Sequence, residues 1–164
     1  QTAADVFCSF HVIEHVKDPL THLRAGLAAV RPGGVGLVAT PNSRSWQQSL
    51  FVGLSPNFDS AHLRVFSKTS LKHYAELAGW IVEAERTLEY TNGWLRVLSK
   101  VLRKLRGEDE GATAGKYAAS SSKFSVVYRL VATMFWPIRR LQACFGGGNE
   151  ILLVLRRPEE KKED

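Results

Sequence analysis

Apolar positions along this 164-residue chain fall into two kinds of run. Residues 4 to 10 (Ala-Asp-Val-Phe-Cys-Ser-Phe) and 35 to 40 (Val-Gly-Leu-Val-Ala-Thr) are short and nearly unbroken, as in strands covered on both faces. Trp80 to Leu88 and Glu150 to Arg156 read as two further strands. Between them the spacing turns helical. Leu20, Leu23, Leu27 and Val30 follow Asp18-Pro19, an N-cap with proline in the first turn, and Pro32-Gly33-Gly34 is expected to end that helix. Leu71, Tyr74, Ala75 and Ala78 lie between a capping Ser67 and a terminating Gly79. Strands alternating with helices of this length build βαβ units, hence an α/β fold with a mostly parallel sheet. In such sheets ligands sit beyond the carboxyl ends of the strands. Attention therefore goes to residues 8 to 17, to residues 40 to 47, and to the irregular stretch 43 to 66 that follows the second strand.

The second half is patterned differently. Leu95, Leu98, Leu102 and Leu105 alternate with Arg96, Lys100, Arg103, Lys104 and Arg106, which makes residues 95 to 106 a basic amphipathic helix. Residues 107 to 123 read as a mobile linker. An apolar, aromatic helix over residues 124 to 145, kinked at Pro137, ends at Gly146-Gly147-Gly148. The reading is one partial domain over residues 1 to 158, with a helical insertion at 91 to 148 and a disordered charged tail at 159 to 164. The hydrophobic fraction of 45% with 23% charged residues excludes disordered and collagen-like classes. The net charge of +6 is concentrated in the basic helix, and the aromatic residues cluster away from it, which argues against nucleic acid as partner. Cys8 and Cys144 suggest neither a disulfide framework nor a metal pair, which fits a reducing cytoplasm. No run reaches the roughly 18 to 20 apolar residues of a membrane span. The two insertion helices, at 95–106 and 124–145, are instead suited to peripheral contact with the inner face of a membrane. The chain opens on Gln1 and enters a strand at once, as a segment of a longer protein would.

The chemistry concentrates in Ser9-Phe10-His11-Val12-Ile13-Glu14-His15. As a bare pattern this is His-x-x-Glu-His, an inverted zinc-protease motif, which requires both histidines on one helical face. Here the motif leaves a strand, and the regular helix begins only at Asp18-Pro19, so a metalloprotease is set aside. With Asp18-Pro19, Arg31-Pro32-Gly33-Gly34 and Thr40-Pro41-Asn42 in order, the stretch resembles the fourth strand, fourth helix and fifth strand of class I S-adenosylmethionine-dependent methyltransferases, in pattern similar to the ubiquinone-biosynthesis O-methyltransferases. His62 to Ser67, Ser70-Leu71 and Ala78-Gly79-Trp80 resemble that family's next helix and sixth strand, and residues 149 to 158 its final strand. The family's glycine-rich loop and the acidic residue of its second strand have no counterpart in these residues.

The resemblance implies the C-terminal half of a Rossmann-like sheet, mostly parallel with an antiparallel last strand, and S-adenosylmethionine as methyl donor. Phe10, with neighbouring Ser9 and His11, matches the strand end that lies against the cofactor's adenine side. In relatives with a metal-binding Glu-x-x-Glu-His here, the last two residues match Glu14 and His15, but His11 replaces the first glutamate, and no metal is assigned. Transfer from a sulfonium requires alignment and removal of an acceptor proton, a task for a histidine. His15 is the first candidate base and His11 the second, with Glu14 orienting. A structural role for Glu14 and His15 at the helix start is the alternative. His62 and Arg64 open the following helix, Asn42 lines the cleft or caps a turn, and His22 and His73 read as structural. The expected acceptor is an oxygen nucleophile on a small or lipid-linked molecule; the rival function is a non-catalytic, membrane-peripheral binding module.

Overall fold

A computed structural model describes residues 3–50, 62–89, 94, 133–134 and 136–159. The basic stretch 95–106, the linker 107–123, residues 124–132 of the aromatic stretch and the tail from residue 160 lie outside the described residues. Strand β1 (Ala4–Phe10) leads through a turn to helix α1 (Pro19–Ala29), which runs into strand β2 (Val30–Pro41). A short helix α2 (Trp46–Leu50), helix α3 (Lys68–Leu77) and strand β3 (Ile81–Leu88) follow, then helix α4 (Trp136–Cys144) and strand β4 (Glu150–Arg156). The sheet order is β1-β2-β4-β3. β1 and β2 are parallel, whereas β4 runs antiparallel to both β2 and β3, so the final strand is wedged between two that point the other way.

Local chemistry accounts for the helix starts. The Asp18 carboxylate accepts from the Leu20 and Thr21 amides at 3.0 and 3.2 Å and from the Thr21 hydroxyl at 2.6 Å, while Pro19 occupies a first-turn position whose N–H would go unused. These bonds, that of the Thr21 hydroxyl foremost, hold the Asp18 carboxyl below its ordinary range. Ser67 and Ser70 form a reciprocal capping box on α3, and Gly79 leaves that helix with φ +97°.

The end of α1 differs from expectation. Pro32-Gly33-Gly34 does not stop the helix; α1 ends at Ala29, and these residues lie inside β2. The register jumps from Ala4↔Val30 to Val6↔Val35, so β2 loops out extra residues opposite Asp5, with Gly33 at φ +72°.

α1 and α3 pack on one side of the sheet over Leu23, Val30, Val38, Leu71, Ala75, Trp80, Ile151, Leu153 and Leu155. Trp80 stacks on Phe7 with ring centroids 6.1 Å apart and donates its indole N–H to the Leu23 carbonyl at 3.0 Å. Alternate β1 residues Val6, Cys8 and Phe10 point the other way and are exposed, although the unbroken apolar pattern predicts cover on both faces. Among the described strands β1 is an edge.

Candidate active site

β1 and β2 end side by side, and the chain leaves β1 in the left-handed conformation: His11 has φ +53°, the one described non-glycine residue with positive φ. Its amide still donates to the Ala39 carbonyl at 2.9 Å, so the backbone turns at the sheet rim while remaining tied to β2. Such a conformation costs a residue with a Cβ about a kcal/mol or more, which marks it as a place held by its surroundings. The turn throws the imidazole outward between two carboxylates, with Nδ1 3.3 Å from Glu14 Oε1 and Nε2 3.4 Å from Glu150 Oε1.

Glu14 is only 1% exposed. Its Oε2 accepts from the buried Thr40 hydroxyl at 2.9 Å, while Oε1 is buried and makes no hydrogen bond, its approach to His11 being off alignment. The Glu14 carbonyl accepts from the amides of Leu63 and Arg64 at 2.9 and 3.2 Å, and Arg64 donates through Nη2 to the Lys17 carbonyl at 3.1 Å. A parallel bridge between Asn42 and Phe66 ties the same segment to the end of β2. These clamps set His62 beside His15, with ring centroids 4.9 Å apart.

The structure thus brings His11, Glu14, His15 and His62 together at the strand tips. Phe10 is half exposed there. Ser9 is placed differently: it is 1% exposed, and its side chain turns to the helix side, where the hydroxyl pairs with His22 Nε2 at 2.9 Å. His22, read as structural, packs its ring against Phe7, and burial lowers its pKa. Asn42 spans the rim, donating through Nδ2 to the Gly146 and Gly148 carbonyls and accepting the Arg44 amide.

A second polar group has no signal in the sequence pattern. Glu89, one residue past β3, accepts from Gln47 Nε2 at 2.7 Å, Gln142 Nε2 at 2.9 Å and the Asn149 amide at 2.8 Å, joining α2, α4 and the start of β4. Burial outweighs these donors and pushes its carboxyl up to about 7 from the usual 4.5. The native carboxyl therefore keeps its proton at a pH where the unfolded chain has lost it. The stability this gives is full below about pH 4.5 and is lost as the pH rises through about 7. Glu89→Gln should flatten that slope, leaving the variant more stable than the parent at pH 8 by about 1–2 kcal/mol, a figure reduced for partial solvent access. Urea unfolding at pH 5 and pH 8 reads this directly; parallel pH slopes in the two proteins would refute it.

A parallel pair followed by an antiparallel strand inserted beside β2, with ionisable residues at the strand tips, is a Rossmann-like half-sheet. The chain belongs to the methyltransferase domain family, whose model matches residues 1–85. A Mycolicibacterium smegmatis protein described as "Probable S-adenosylmethionine-dependent methyltransferase" is 35% identical over 81 residues, which are 49% of this chain and 30% of that protein. Two solved structures share the fold. The [4+2]-cyclase SpnF matches with TM-score 0.54 at 14% identity, over 96% of this chain and 51% of that one. A SAM-dependent methyltransferase from Archaeoglobus fulgidus matches with TM-score 0.51 at 16% identity, over 94% and 59%. The chain therefore spans about a third to three fifths of the length of these proteins.

Proposed function

We propose that the protein carrying this chain transfers a methyl group from S-adenosylmethionine to an oxygen nucleophile on a small or lipid-linked acceptor. Family membership and the description of the M. smegmatis relative support the class of reaction. The observation that carries the site is the delivery of His11 out of the β1 tip at φ +53°, between the carboxylates of Glu14 and Glu150. Phe10, half exposed at the same tip, offers a flat apolar face suited to an adenine ring, whereas the Ser9 hydroxyl is spent on His22. When bound, the cofactor supplies an electrophilic methyl on its sulfonium. The chain's own part is to place the acceptor at the rim and take its proton. His11 is the first candidate for that task because its left-handed backbone projects the ring from the rim, beside the buried Glu14.

The fold by itself does not select this chemistry, since a [4+2]-cyclase shares it. One feature favours a lipid-linked acceptor or a membrane-peripheral role: Met134, Ile138, Leu141 and Phe145, on one helical stripe of the α4 region, are 48% to 74% exposed, and Arg140 lies over the Trp136 ring at 5.4 Å. Among the described residues no helix is long and apolar enough to cross a membrane. The test is label transfer from methyl-tritiated S-adenosylmethionine, using the gene product that contains these residues. Phenolic, amine and vesicle-embedded quinol acceptors would be offered in parallel. Label on the oxygen acceptors is expected, strongest on the vesicle-borne one; cofactor binding with no acceptor labelled would favour the non-catalytic module.

A further inference from the structure

Helix α4 is built with polar groups on its inward side. Gln142 is fully buried; its Nε2 donates to Gln47 Oε1 and to the Gly147 carbonyl, both at 2.8 Å, and its Oε1 accepts from the Trp94 indole at 2.9 Å. Arg139 and Ala143, partly buried, share that side. The stripe formed by Met134, Ile138, Leu141 and Phe145 is half to three-quarters exposed. A helix packed on a core shows the reverse arrangement. We infer that this stripe is a docking face for an anionic lipid bilayer, with Arg140 beside it meeting the lipid phosphates. The inference rests on the peripheral role named above, to which it gives a surface and a headgroup chemistry, and is independent of methyl transfer.

Three observations support it. The first is that the orientation of α4 is fixed by construction. Besides the bonds of Gln142, the Thr87 hydroxyl donates to the Ala143 carbonyl at 2.8 Å, and the Gly147 carbonyl also accepts from the Trp46 amide at 3.0 Å. Turning α4 to bury its apolar stripe would strand Gln47 and Gln142, both wholly buried, without these partners, and unpaired buried amides are strongly destabilising. The second is charge. Residues 91 to 148 contain ten Lys and Arg against three acidic residues, a net +7 where the whole chain has +6, so the remainder is close to neutral. Residues 133 to 149 include Arg139 and Arg140 and no Asp or Glu. Positive charge joined to an apolar face matches the negative potential of an anionic leaflet, which attracts Lys and Arg close to its surface. A second copy of the chain would bring the same excess of positive charge against itself.

The third is the flank between the stripe and the inward side. Trp136 is half exposed there and carries the Arg140 guanidinium 5.4 Å from its ring centre. Indole rings favour the headgroup level, and a guanidinium grips phosphate through paired N–H donors, so this pair suits the layer where acyl chains meet headgroups. The placement of α4 also matters. Gly146 to Gly148 lead from it directly into β4, whose first residue, Glu150, stands 3.4 Å from His11. A bilayer seated on this face therefore lies at the end of the sheet that carries the strand tips.

The experiment is flotation of the gene product that contains these residues with two kinds of vesicle, one of phosphatidylcholine alone and one with phosphatidylglycerol added. The double variant Leu141→Ser/Phe145→Ser and the control Leu77→Ser, an exposed position on α3, are run beside the parent. The parent should bind the anionic vesicles at least about tenfold more tightly than the neutral ones, and less tightly as salt rises above about 0.15 M. The double variant should lose at least about tenfold of that affinity, since one apolar side chain taken into the acyl boundary contributes roughly that factor. Leu77→Ser should lose none. All the replaced side chains are exposed, so thermal melts of the variants should coincide with the parent's. Quenching of tryptophan fluorescence by brominated lipid, reduced in Trp136→Phe, reads the same contact with the stripe intact. Absence of binding to anionic vesicles, equal binding to both kinds of vesicle, or equal binding by the double variant overturns the proposal. A concentration-dependent dimer that the double variant abolishes, in place of vesicle binding, also overturns it and assigns the stripe to a second copy. Vesicle binding without methyl transfer leaves this inference standing and removes the reaction; methyl transfer without vesicle binding does the opposite.

Discussion

His11→Ala is expected to lower turnover of the active enzyme by about 10²- to 10⁴-fold, the range that a positioned general base contributes. Affinity for S-adenosylmethionine should change little. The expectation follows from position. His11 is the first residue past β1, its amide is tied to Ala39, and its left-handed backbone projects the ring from the rim with Glu14 and Glu150 on either side. Alanine removes the imidazole but keeps the strained φ. His11→Asn removes the base while placing at φ +53° a residue that tolerates this region better than most. The asparagine variant should therefore melt no lower than the alanine variant and be equally slow. Turnover within a few-fold of the parent in either variant would take His11 out of the reaction. Slow turnover only in a variant that also melts early would make the role structural.

How much of this was legible in the chain depends on the range of the forces involved. α1 and α3 could be read because their signals are local: Asp18-Pro19 and Ser67 cap what the apolar spacing proposes, and the same residues make those caps in the fold. β4 could be read because its alternate residues Ile151, Leu153 and Leu155 enter the core. The start of β2 departs from its sequence pattern, since Pro32-Gly33-Gly34 has turn chemistry and only pairing with β1 shows that it is an excursion within a strand. Glu14 and His11 stood out as ionisable residues after a strand. Ser9 stood out too, but strand alternation sends its hydroxyl to α1 and His22, a partner 13 residues away. His62 is marked in the sequence only as the opening of the next segment, without its partners, and Glu89 carries no local mark at all. One is placed by main-chain bonds across the strand tips, the other by Gln47, Gln142 and Asn149 arriving from three separate segments. Sites assembled by such long-range contacts are visible only once the sheet order is known.

Gly148→Ala should cost about 3 kcal/mol, at the upper end of what overpacking imposes, and lower Tm by roughly 6–12 °C for a chain of this size. The sequence reads Gly146-Gly147-Gly148 as a helix breaker, which accounts for Gly146 at φ +73° but not for Gly148. A Cβ at Gly148 would lie 2.7 Å from the Leu88 carbonyl oxygen and 2.9 Å from both the Leu88 carbonyl carbon and amide nitrogen. All three are backbone atoms at the last β3 position paired with β4, Leu88 facing Glu150. Leu88 cannot withdraw without opening that pair, and Gly148 cannot withdraw without losing the Asn42 bond to its carbonyl at 2.7 Å. Gly26→Ala is the informative comparison. Its Cβ would come equally close, 2.7 Å, but to the Phe7 ring, a side chain able to rotate aside, and alanine in a helix interior recovers about 1 kcal/mol over glycine. Thermal melts of the two variants should differ severalfold in Tm loss. Equal losses would mean that the approach of Gly148 to β3 does not hold the rim closed, and with it the position of Glu150 opposite His11.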